Sequence, residues 1–486
     1  MEAEREFIEA AVVAFREHLG EALAQMRRAD SPASFAEAER TLHALAREVA
    51  SKLTQNVVQE MCDDDTRKDV ATARVRDRAA RKGVSLRSER RRETDIRTVG
   101  GQMIRVTTPY MRASPRGGGN LETRGAQGTG VYPVLDMLGI SGRSTPALRL
   151  HVALALCEAN SVTSAREVLA SGGTEIDHKA ALRLTYMVTE DALRARERAM
   201  RATTSGNDEG EFVGRRVAVA VDGGRVCIRR RVAGRPKKGG RKHFVTEWRE
   251  PKVLTVYVLG EDGQRDKKVK TVLDGTLGDA DAVFALIRYH LLRLGVHRAK
   301  EVVFLGDGAK WIWNRTSSLR DALGLPPEQF VEVVDYFHVV ERLTEIAQQR
   351  SRWSDKQRST WVDEQKERLM AGAVEEVERA VLDLLKHKKK ERDKEATYWS
   401  RNRERLRYGT VRDAGLPIGS GAVESSVRRV VNLRMKGASI AWREDHAEGV
   451  LHLRAHAKSG RWAELEASVL AETGWRPTAR RALLAA

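Results

Sequence analysis

The chain has 486 residues with 41% hydrophobic content, and 86 Lys and Arg against 68 Asp and Glu give it a net charge of +18. A chain of this length is longer than a single hydrophobic core usually supports, so we expect two or three domains. The sequence lacks an uninterrupted apolar run of about 18 residues and starts with an acidic amphipathic segment, which argues against a membrane or secreted protein. We therefore expect no membrane partner and a soluble, cytoplasmic chain, and the excess of positive charge favours a polyanionic partner.

The number and spacing of the cysteines limit the kinds of metal site that the chain can form. The chain contains only Cys62, Cys157 and Cys227, which lie far apart. An odd and scattered set argues against a disulfide framework and against a four-cysteine zinc site. We expect reduced thiols and no zinc.

The N-terminal region, residues 1–100, is predicted to be mainly helical. Residues 2–57 have amphipathic periodicity, with Phe7, Val12, Phe15 and Leu19 near one face. That face packs either in the core, which we favour, or against another copy. A hairpin and a Gly-rich linker follow at 101–140, and the Gly-rich part, 117–130, is interpreted as a flexible linker or a loop ordered by a partner.

Residues 141–205 predict a helix-turn-helix-like region. A helical stretch from Pro146 to about Ala199 is interrupted by Gly172 and Gly173, and cap-type residues open its second part. In a DNA-binding module the second helix would enter the major groove. An ordinary helical hairpin is the alternative. The residues near the start of that helix are Asp177, His178, Lys179 and Arg183.

Acidic residues follow apolar runs at two places in the second half. Asp222 closes the run in VAVAVDGG, Asp307 closes the run in VVFLGDG, and Glu424 lies in IGSGAVESSVRR at the start of a helical pattern. Carboxylates at strand ends face the crevice where open α/β sheets bind ligands, and two divalent cations held there catalyse phosphoryl transfer. Asp-Gly is also ordinary turn chemistry, so this pattern alone leaves both interpretations open.

Alternating elements surround these residues. Strands are predicted near 216–221, 225–231, 252–259, 301–305 and 330–334, with helices around 280–294 and from Tyr336. This order is expected of an RNase H-like α/β catalytic domain, whose first part we assign to 212–340. A charged helical insertion at 341–410, containing Trp353, Trp361 and Trp399, precedes the glutamate helix and C-terminal helices at 411–486. We expect these tryptophans to be core residues rather than base-stacking wedges.

Positive charge is concentrated beside the proposed site. Arg229 and Arg230 end one strand-like run, and Lys237, Lys238 and Arg241 lie in the loop that follows. The loop predicts a DNA contact, and a solvated flexible tip is the alternative.

Blocks of this sequence resemble DDE transposases of bacterial insertion sequences. VDGGRVCIRR, DGTLG, VVFLGDGAKWIWN, VVDYFHVVERL and LPIGSGAVESSVRRVVNLRMKGASIAW are similar to ISKra-type transposases and, more distantly, to Mutator-like ones. The resemblance implies that Asp222, Asp307 and Glu424 bind metal. It also implies that Asp335 and His338 form the accompanying Asp-x-x-His motif, in which His338 orients the scissile phosphate or a metal-bound water. Related proteins often carry a zinc-ribbon-like hairpin, but the corresponding stretch here has no Cys.

Four further basic residues are candidate DNA contacts around the acids. Lys310 follows Asp307 closely, and Arg428 lies one helical turn after Glu424, where a salt bridge to Glu424 is the alternative. The remaining two are Arg434 and Lys436.

The sequence thus predicts a transposase that cuts and joins DNA with Mg²⁺, for which Mn²⁺ would substitute. Its expected partners are double-stranded terminal inverted repeats, target DNA and further copies of itself, in association with the nucleoid. An RNase H-like nuclease or resolvase, or a non-catalytic DNA-binding regulator, are the alternatives.

Overall fold

The computed structural model describes Arg16 and residues 19–115, 130–231, 244–437 and 440–475. The chain divides into two compact units. The first comprises Met1–Asp191 with Glu466–Ala486, and the second comprises Ala192–Leu465. The predicted Gly-rich linker and most of the basic loop that contains Lys237, Lys238 and Arg241 lie outside the described residues.

The first unit begins with helices and continues with short strands. Ser31 caps the long helix α2 by accepting the Ser34 N–H, as its hydroxyl suits a helix start. Strands β2 and β3 form an antiparallel pair, and β1, β4 and β5 form a three-stranded sheet. The elements are α1 (described over 19–27), α2 (Pro32–Asp63), α3 (Asp65–Ala80), β1 (Val84–Ser88), β2 (Arg92–Arg97), β3 (Met103–Thr108), β4 (Met111–Pro115) and β5 (Gly130–Val131).

The described part of residues 1–100 is mainly helical, but the short strands β1 and β2 within that range were not predicted. Only one side of β2 is buried, at Thr94 and Ile96, and the outward residues are charged. Because charged residues are dense in this segment, the sequence did not show the alternation of apolar and polar residues that is expected of a half-buried strand.

Helices complete the first unit. Val58, Cys62, Ile96, Ile104 and Val134 form one of its buried clusters, which joins the long helix to the β2–β3 pair. The region predicted as helix-turn-helix-like contains three helices, α5, α6 and α7, of which α6 and α7 lie on either side of Gly172 and Gly173. The elements are α4 (Pro133–Met137), α5 (Pro146–Glu158), α6 (Val162–Ser171), α7 (His178–Ala202), whose last part belongs to the second unit, and α17 (Trp462–Glu472), which begins in the second unit.

The second unit contains a five-stranded mixed sheet in the order β10-β9-β6-β11-β12. Strand β9 runs antiparallel to both of its neighbours, β10 and β6, whereas β11 runs parallel to both β6 and β12. Residues 217–221 and 302–306 are buried throughout, as expected for central strands covered on both faces. The strands are β6 (Arg216–Gly223), β9 (Lys252–Leu259), β10 (Val272–Thr276), β11 (Glu301–Gly306) and β12 (Phe330–Val334).

A separate antiparallel ribbon is formed by β7 (Val226–Arg231) and β8 (Phe244–Arg249). The strands predicted near 216–221, 225–231, 252–259, 301–305 and 330–334 are all present. Strand β10 is an addition that the sequence did not predict.

Helices follow and flank the sheet. Residues 341–410, the predicted helical insertion, consist mainly of helices joined by short turns. Trp399 is fully buried there, and Trp353 and Trp361 pack against each other. The helices are α8 (Ala280–Arg293), α9 (Lys310–Ala322), α10 (Tyr336–Gln348), α11 (Asp355–Met370), α12 (Val374–Leu384), α13 (Lys389–Asn402), α14 (Tyr408–Asp413), α15 (Gly421–Val427) and α16 (Glu444–Ser459), with 3₁₀ turns at Val296–Arg298, Pro327–Gln329 and Arg403–Leu406 and a π turn at Arg428–Asn432. Among the described residues, no helix combines the length and the apolar character needed to cross a bilayer.

Candidate active site

Three strands of the sheet end at the same edge, and each is followed by an acidic residue. Residue pairing aligns Leu305 of β11 with Ala220 of β6 and Gly306 with Val334 of β12. Because these strands are parallel, their carboxyl ends are neighbours. Asp222, Asp307 and Asp335 therefore lie side by side along one edge of the sheet.

Asp222 is half-buried at the end of β6. Its Oδ1 accepts the Gly223 N–H at 2.7 Å, and its Oδ2 accepts no hydrogen bond among the described residues. Burial raises the pKa of this carboxyl, and the charges of Asp307 and Glu424 raise it further, whereas the Gly223 N–H and His338 lower it. Ionised Asp222 is thus held among like charges, an arrangement that a divalent cation would stabilise.

The loop after β11 fixes Asp307. Its Oδ1 accepts the Ala309 N–H at 2.9 Å, and its carbonyl oxygen accepts the Trp313 indole N–H at 2.8 Å. Trp313 is buried against Phe304 of β11, so it anchors α9 to the sheet. The Gly308 carbonyl accepts a bond from Arg401 at 2.8 Å, which ties this loop to the helical insertion.

Asp335 is fully buried and caps α10. Its Oδ1 accepts the N–H groups of Phe337 and His338 at 2.6 and 3.1 Å, and its Oδ2 accepts the N–H of Ser420. Burial raises the pKa of Asp335, but the bonds from His338 and Ser420 outweigh it and lower the pKa to about 2. Asp335 therefore remains ionised at neutral pH and joins the β12 end to the loop before α15.

His338 lies one turn into α10, half-buried. Its Nδ1 is 3.6 Å from Asp335 Oδ1, which is longer than a hydrogen bond, so we describe the contact as an ion pair. Asp335 raises the pKa of His338 to about 9; burial opposes this rise, and Asp222 and Asp307 add to it. A protonated imidazolium consequently lies among the acidic residues.

Glu424 is brought to this edge by the loop 417–420. The Ile418 carbonyl accepts the Tyr336 N–H at 2.9 Å, and together with the bond from Ser420 to Asp335 this fixes the loop on the start of α10. Glu424 then lies in the first turn of α15, with its side chain exposed. Its carboxylate forms no ion pair within the described part of the chain, so the alternative of a salt bridge to Arg428 is not realised.

The donor set suits a hard divalent cation. Asp335, His338 and Glu424 each offer one ligand atom, and these atoms lie within 4.8 Å of one another. Asp335 already accepts three N–H bonds, which favours a positioning role for it. Carboxylate oxygens are the ligands that suit Mg²⁺ and Mn²⁺, whereas His338 in its protonated form is a hydrogen-bond donor and not a ligand. This group of three does not include Asp222 or Asp307, which end the neighbouring strands of the same sheet edge.

The predicted DNA-contacting residues separate into three groups. Arg229, Lys310, Arg428 and Lys436 are exposed in the second unit, and Arg230 is exposed but pairs with Glu247 at 2.8 Å. Lys179 and Arg183 are exposed near the start of α7 in the first unit. Lys237, Lys238 and Arg241 fall outside the described residues.

Arg434 requires a correction. It is 8% exposed, and its guanidinium lies 5.2 Å from the centre of the Trp442 ring. Arg434 was predicted from its charge and its position near Glu424, and neither shows that the side chain packs under Trp442. We assign Arg434 to packing rather than to DNA contact.

A buried polar network near the same sheet was not predicted. Asp274 on β10 has no exposed surface, and its two oxygens lie 2.9 Å from His290 Nε2 and from His452 Nδ1. Arg196 lies 3.3 Å from Asp274 and 2.5 Å from Glu448. The sequence signal for Asp274 was the Asp-Gly pair in DGTLG, but the partners of Asp274 lie on helices remote in the chain.

Glu448 also lines a cleft of about 610 Å³ with Arg249 and Thr276, and this cleft does not include the acidic group described above.

Comparisons with known proteins add no relative. No protein-family model matches the chain, no curated protein matches it, and no solved structure matches it. The function is therefore argued from the residues at the sheet edge.

Proposed function

We propose that this chain is a DDE-type transposase that binds the ends of an insertion sequence and catalyses Mg²⁺-dependent DNA cleavage and strand transfer. The observation that carries the proposal is the convergence of acids from distant segments. Asp222 and Asp307 end the paired parallel strands β6 and β11, and the carboxylate of Glu424 lies within 4.8 Å of Asp335, which follows the next strand, β12. These are the acids that the resemblance to bacterial transposases implies.

The fold of the second unit supports an RNase H-like catalytic domain. In its mixed sheet, strands β11 and β12 are each followed by a helix, and two of the proposed metal ligands lie at the ends of the neighbouring strands β6 and β11. A helical insertion separates these strands from α15, which carries the third ligand. This arrangement agrees with the order expected of such a domain.

Each residue has a separate task in the proposed chemistry. Asp222 and Asp307 would hold cations from rigid strand ends, and Glu424 would complete the site from α15. When bound, Mg²⁺ supplies charge stabilisation and a more acidic water or 3′-hydroxyl at a phosphodiester. Imidazolium His338 would donate a hydrogen bond to a phosphate oxygen, and Asp335 would keep the ring in place.

The partners belong to the same proposal. Lys310 follows Asp307, and Arg428 follows Glu424 by one turn, so exposed cations flank the acidic group where a phosphate backbone would pass. Exposed Lys179 and Arg183 would contact DNA from the first unit. Multimers on paired double-stranded ends and association with the nucleoid follow from a transposase function.

The test is cleavage and joining of labelled DNA that carries the inverted repeats flanking the gene. We expect products with Mg²⁺ or Mn²⁺, and we expect Asp222→Ala, Asp307→Ala and Glu424→Ala each to abolish them while DNA binding persists. Asp321→Ala is the matched control, because Asp321 is an exposed acid of the same unit that pairs only with neighbouring Arg320. It should retain activity.

The outcomes separate the alternatives. Cleavage without joining would favour a nuclease or resolvase. Binding of the repeats without any metal-dependent cleavage would favour a regulator. Activity that survives one of the three substitutions would remove that residue from the site.

A further inference from the structure

The β7–β8 ribbon has two faces of different chemistry. Residue pairing places Arg229 opposite Thr246 and Cys227 opposite Trp248. Because side chains alternate along a strand, Arg229, Thr246 and Trp248 share one face, to which Phe244 also belongs. We call this set, with Arg225, the aromatic face.

The aromatic face exposes large apolar rings beside cations. Phe244 and Trp248 are each 53% exposed. The Arg225 guanidinium lies 5.5 Å from the centre of the Trp248 ring, and Arg229 is exposed on the neighbouring strand. Exposed aromatic rings interleaved with arginines match the two components of nucleic-acid binding, which are base stacking and phosphate contact.

The opposite face is neutralised by its own ion pairs. Arg230 lies 2.8 Å from Glu247, and Arg249 lies 3.6 Å from Glu247 and 3.3 Å from Glu444. Val245 is exposed on this side. The contrast indicates that positive charge available to a polyanion is concentrated on the aromatic face.

The base of the ribbon is fixed close to the acidic group. Arg225 follows Asp222 by three residues, which limits their Cα separation to about 10 Å. The Trp442 carbonyl accepts the Arg229 N–H at 2.7 Å, and the Trp442 N–H donates to the Cys227 carbonyl at 2.9 Å. Strand β7 is therefore hydrogen-bonded to Trp442 on both sides of Ile228, and this holds the base of the ribbon near the proposed reaction centre.

We infer that the aromatic face is a stacking platform for unpaired nucleotides next to the scissile phosphate. Bases in a duplex are already stacked on each other, so these rings can receive only bases that are unpaired or displaced from the helix. Arg225 and Arg229 contact the phosphates of that strand. The inference rests on the proposed function for the position of the scissile phosphate, while the binding itself is measurable without reaction.

The experiment measures binding of the full chain in EDTA by fluorescence anisotropy. The probes are an oligothymidylate, a blunt duplex, and the same duplex with an unpaired oligothymidylate flank. We expect Trp248→Ala to weaken binding of the oligothymidylate and the flanked duplex about tenfold, and to change blunt-duplex affinity less than about twofold. Trp248→Phe should recover most of the loss, because it restores an aromatic ring.

Val245→Ala is the matched control, since Val245 is equally exposed on the opposite face of the same strand. It should leave all three affinities unchanged. Equal effects of Trp248→Ala on paired and unpaired probes, or no effect, would overturn the inference. So would a change in self-association, measured by sedimentation, in place of a change in DNA affinity.

Cleavage by the native chain distinguishes the two proposals. If the native chain cleaves with Mg²⁺ but Trp248→Ala does not change binding of the unpaired probes, the proposed function is supported and the stacking platform is excluded. If the native chain never cleaves, yet its preference for unpaired flanks depends on Trp248, the stacking platform is supported and the proposed reaction is excluded.

Discussion

At the scale of single residues, the Asp335 carboxylate accepts more hydrogen bonds than those of Asp222 and Asp307 at the same sheet edge. Its buried carboxylate accepts N–H groups from Phe337 and His338 of α10 and from Ser420 before α15. Two segments that are remote in sequence therefore meet at one side chain. The position of Glu424 depends on this meeting point.

Asp335→Asn tests that dependence. Asn still caps α10, but one of its two polar groups is an N–H donor, which would face the donor N–H of Ser420. We expect a loss of about 1–3 kcal/mol in the free energy of unfolding, since a buried donor loses its acceptor, together with reduced cleavage. Urea unfolding and the cleavage assay measure the two effects.

Asp279→Asn is the control, because Asp279 caps α8 from an exposed position and Asn is an equally good cap. It should change neither quantity appreciably. Equal stability of both variants would show that the Ser420 bond does not hold the loop.

Gly308 is required beside Asp307 for a steric reason. A Cβ at this position would lie 2.2 Å from a ring carbon of Tyr398, which is buried and cannot withdraw. We expect Gly308→Ala to destabilise the fold by about 1–3 kcal/mol and to reduce cleavage by displacing the Asp307 loop. Thermal unfolding and product formation are the measurements.

Gly421→Ala gives the matched comparison near the same site. A Cβ at Gly421 meets open space, and its position at the start of α15 favours alanine. Full cleavage activity in Gly421→Ala together with reduced activity in Gly308→Ala would confirm the steric argument. Equal activity and equal stability of the two variants would contradict it.

At the scale of secondary-structure elements, the sequence predicted the parallel strands well because their apolar runs are long and end in Asp. Val217 to Val221 and Val302 to Leu305 are both buried, as their composition suggested. The same reasoning could not find the role of Asp274. Its strand, β10, has five residues and contains an Asp-Gly pair that resembles a turn, and His290 and His452 reach it only through the tertiary fold.

The Asp274 network also holds α7, α8, β10 and α16 together. Arg196, His290 and Glu448 come from the three helices and converge on or beside the buried Asp274. Burial lowers the pKa of His452 to about 3 and also lowers that of His290, despite the nearby Asp274 carboxylate. Burial opposes ionisation of Asp274, but His452 and Arg196 outweigh it and hold its pKa well below the usual value.

These shifts predict that acid destabilises the second unit. Neutral buried His452 binds its proton only near pH 3, whereas in the unfolded chain it does so near its ordinary value of 6.5. The unfolded state therefore binds more protons between these values, and stability must fall as the pH decreases from 6.5 toward 3, by up to about 1.4 kcal/mol per pH unit for this group. Asp274 adds a further loss below its ordinary pKa of 3.8.

Urea unfolding at a series of pH values checks this expectation. His452→Gln should flatten the dependence, because Gln does not titrate, and His151→Gln should not, because His151 is exposed. Stability that is constant from pH 7 to pH 4 would show that the buried histidines are protonated in the folded chain.

At the scale of the whole molecule, the net charge of +18 favours a polyanionic partner, so the proposed DNA binding should depend strongly on salt. Binding that neutralises phosphates releases counterions, so the logarithm of affinity should fall linearly with the logarithm of salt concentration. For roughly six to ten contacts, affinity should decrease by about 10³ to 10⁵ between about 50 and 200 mM salt.

Lys310→Gln should reduce the magnitude of that slope by about one, if Lys310 contacts a phosphate. Lys52→Gln is the control, since exposed Lys52 pairs with Glu48 at 2.9 Å on α2. Anisotropy titrations over a salt series measure both slopes. An unchanged slope in Lys310→Gln would exclude a phosphate contact by this residue.

The division of the chain into units has a consequence for synthesis on the ribosome. The residues of the unit with the acidic group are complete at Leu465, whereas the first unit also takes Glu466–Ala486. Within the first unit, Trp475 donates its N–H to buried Asp136, and its carbonyl accepts a bond from Arg78 at 2.9 Å. During synthesis the first unit must therefore wait for Trp475, and the unit with the acidic group can finish folding before it.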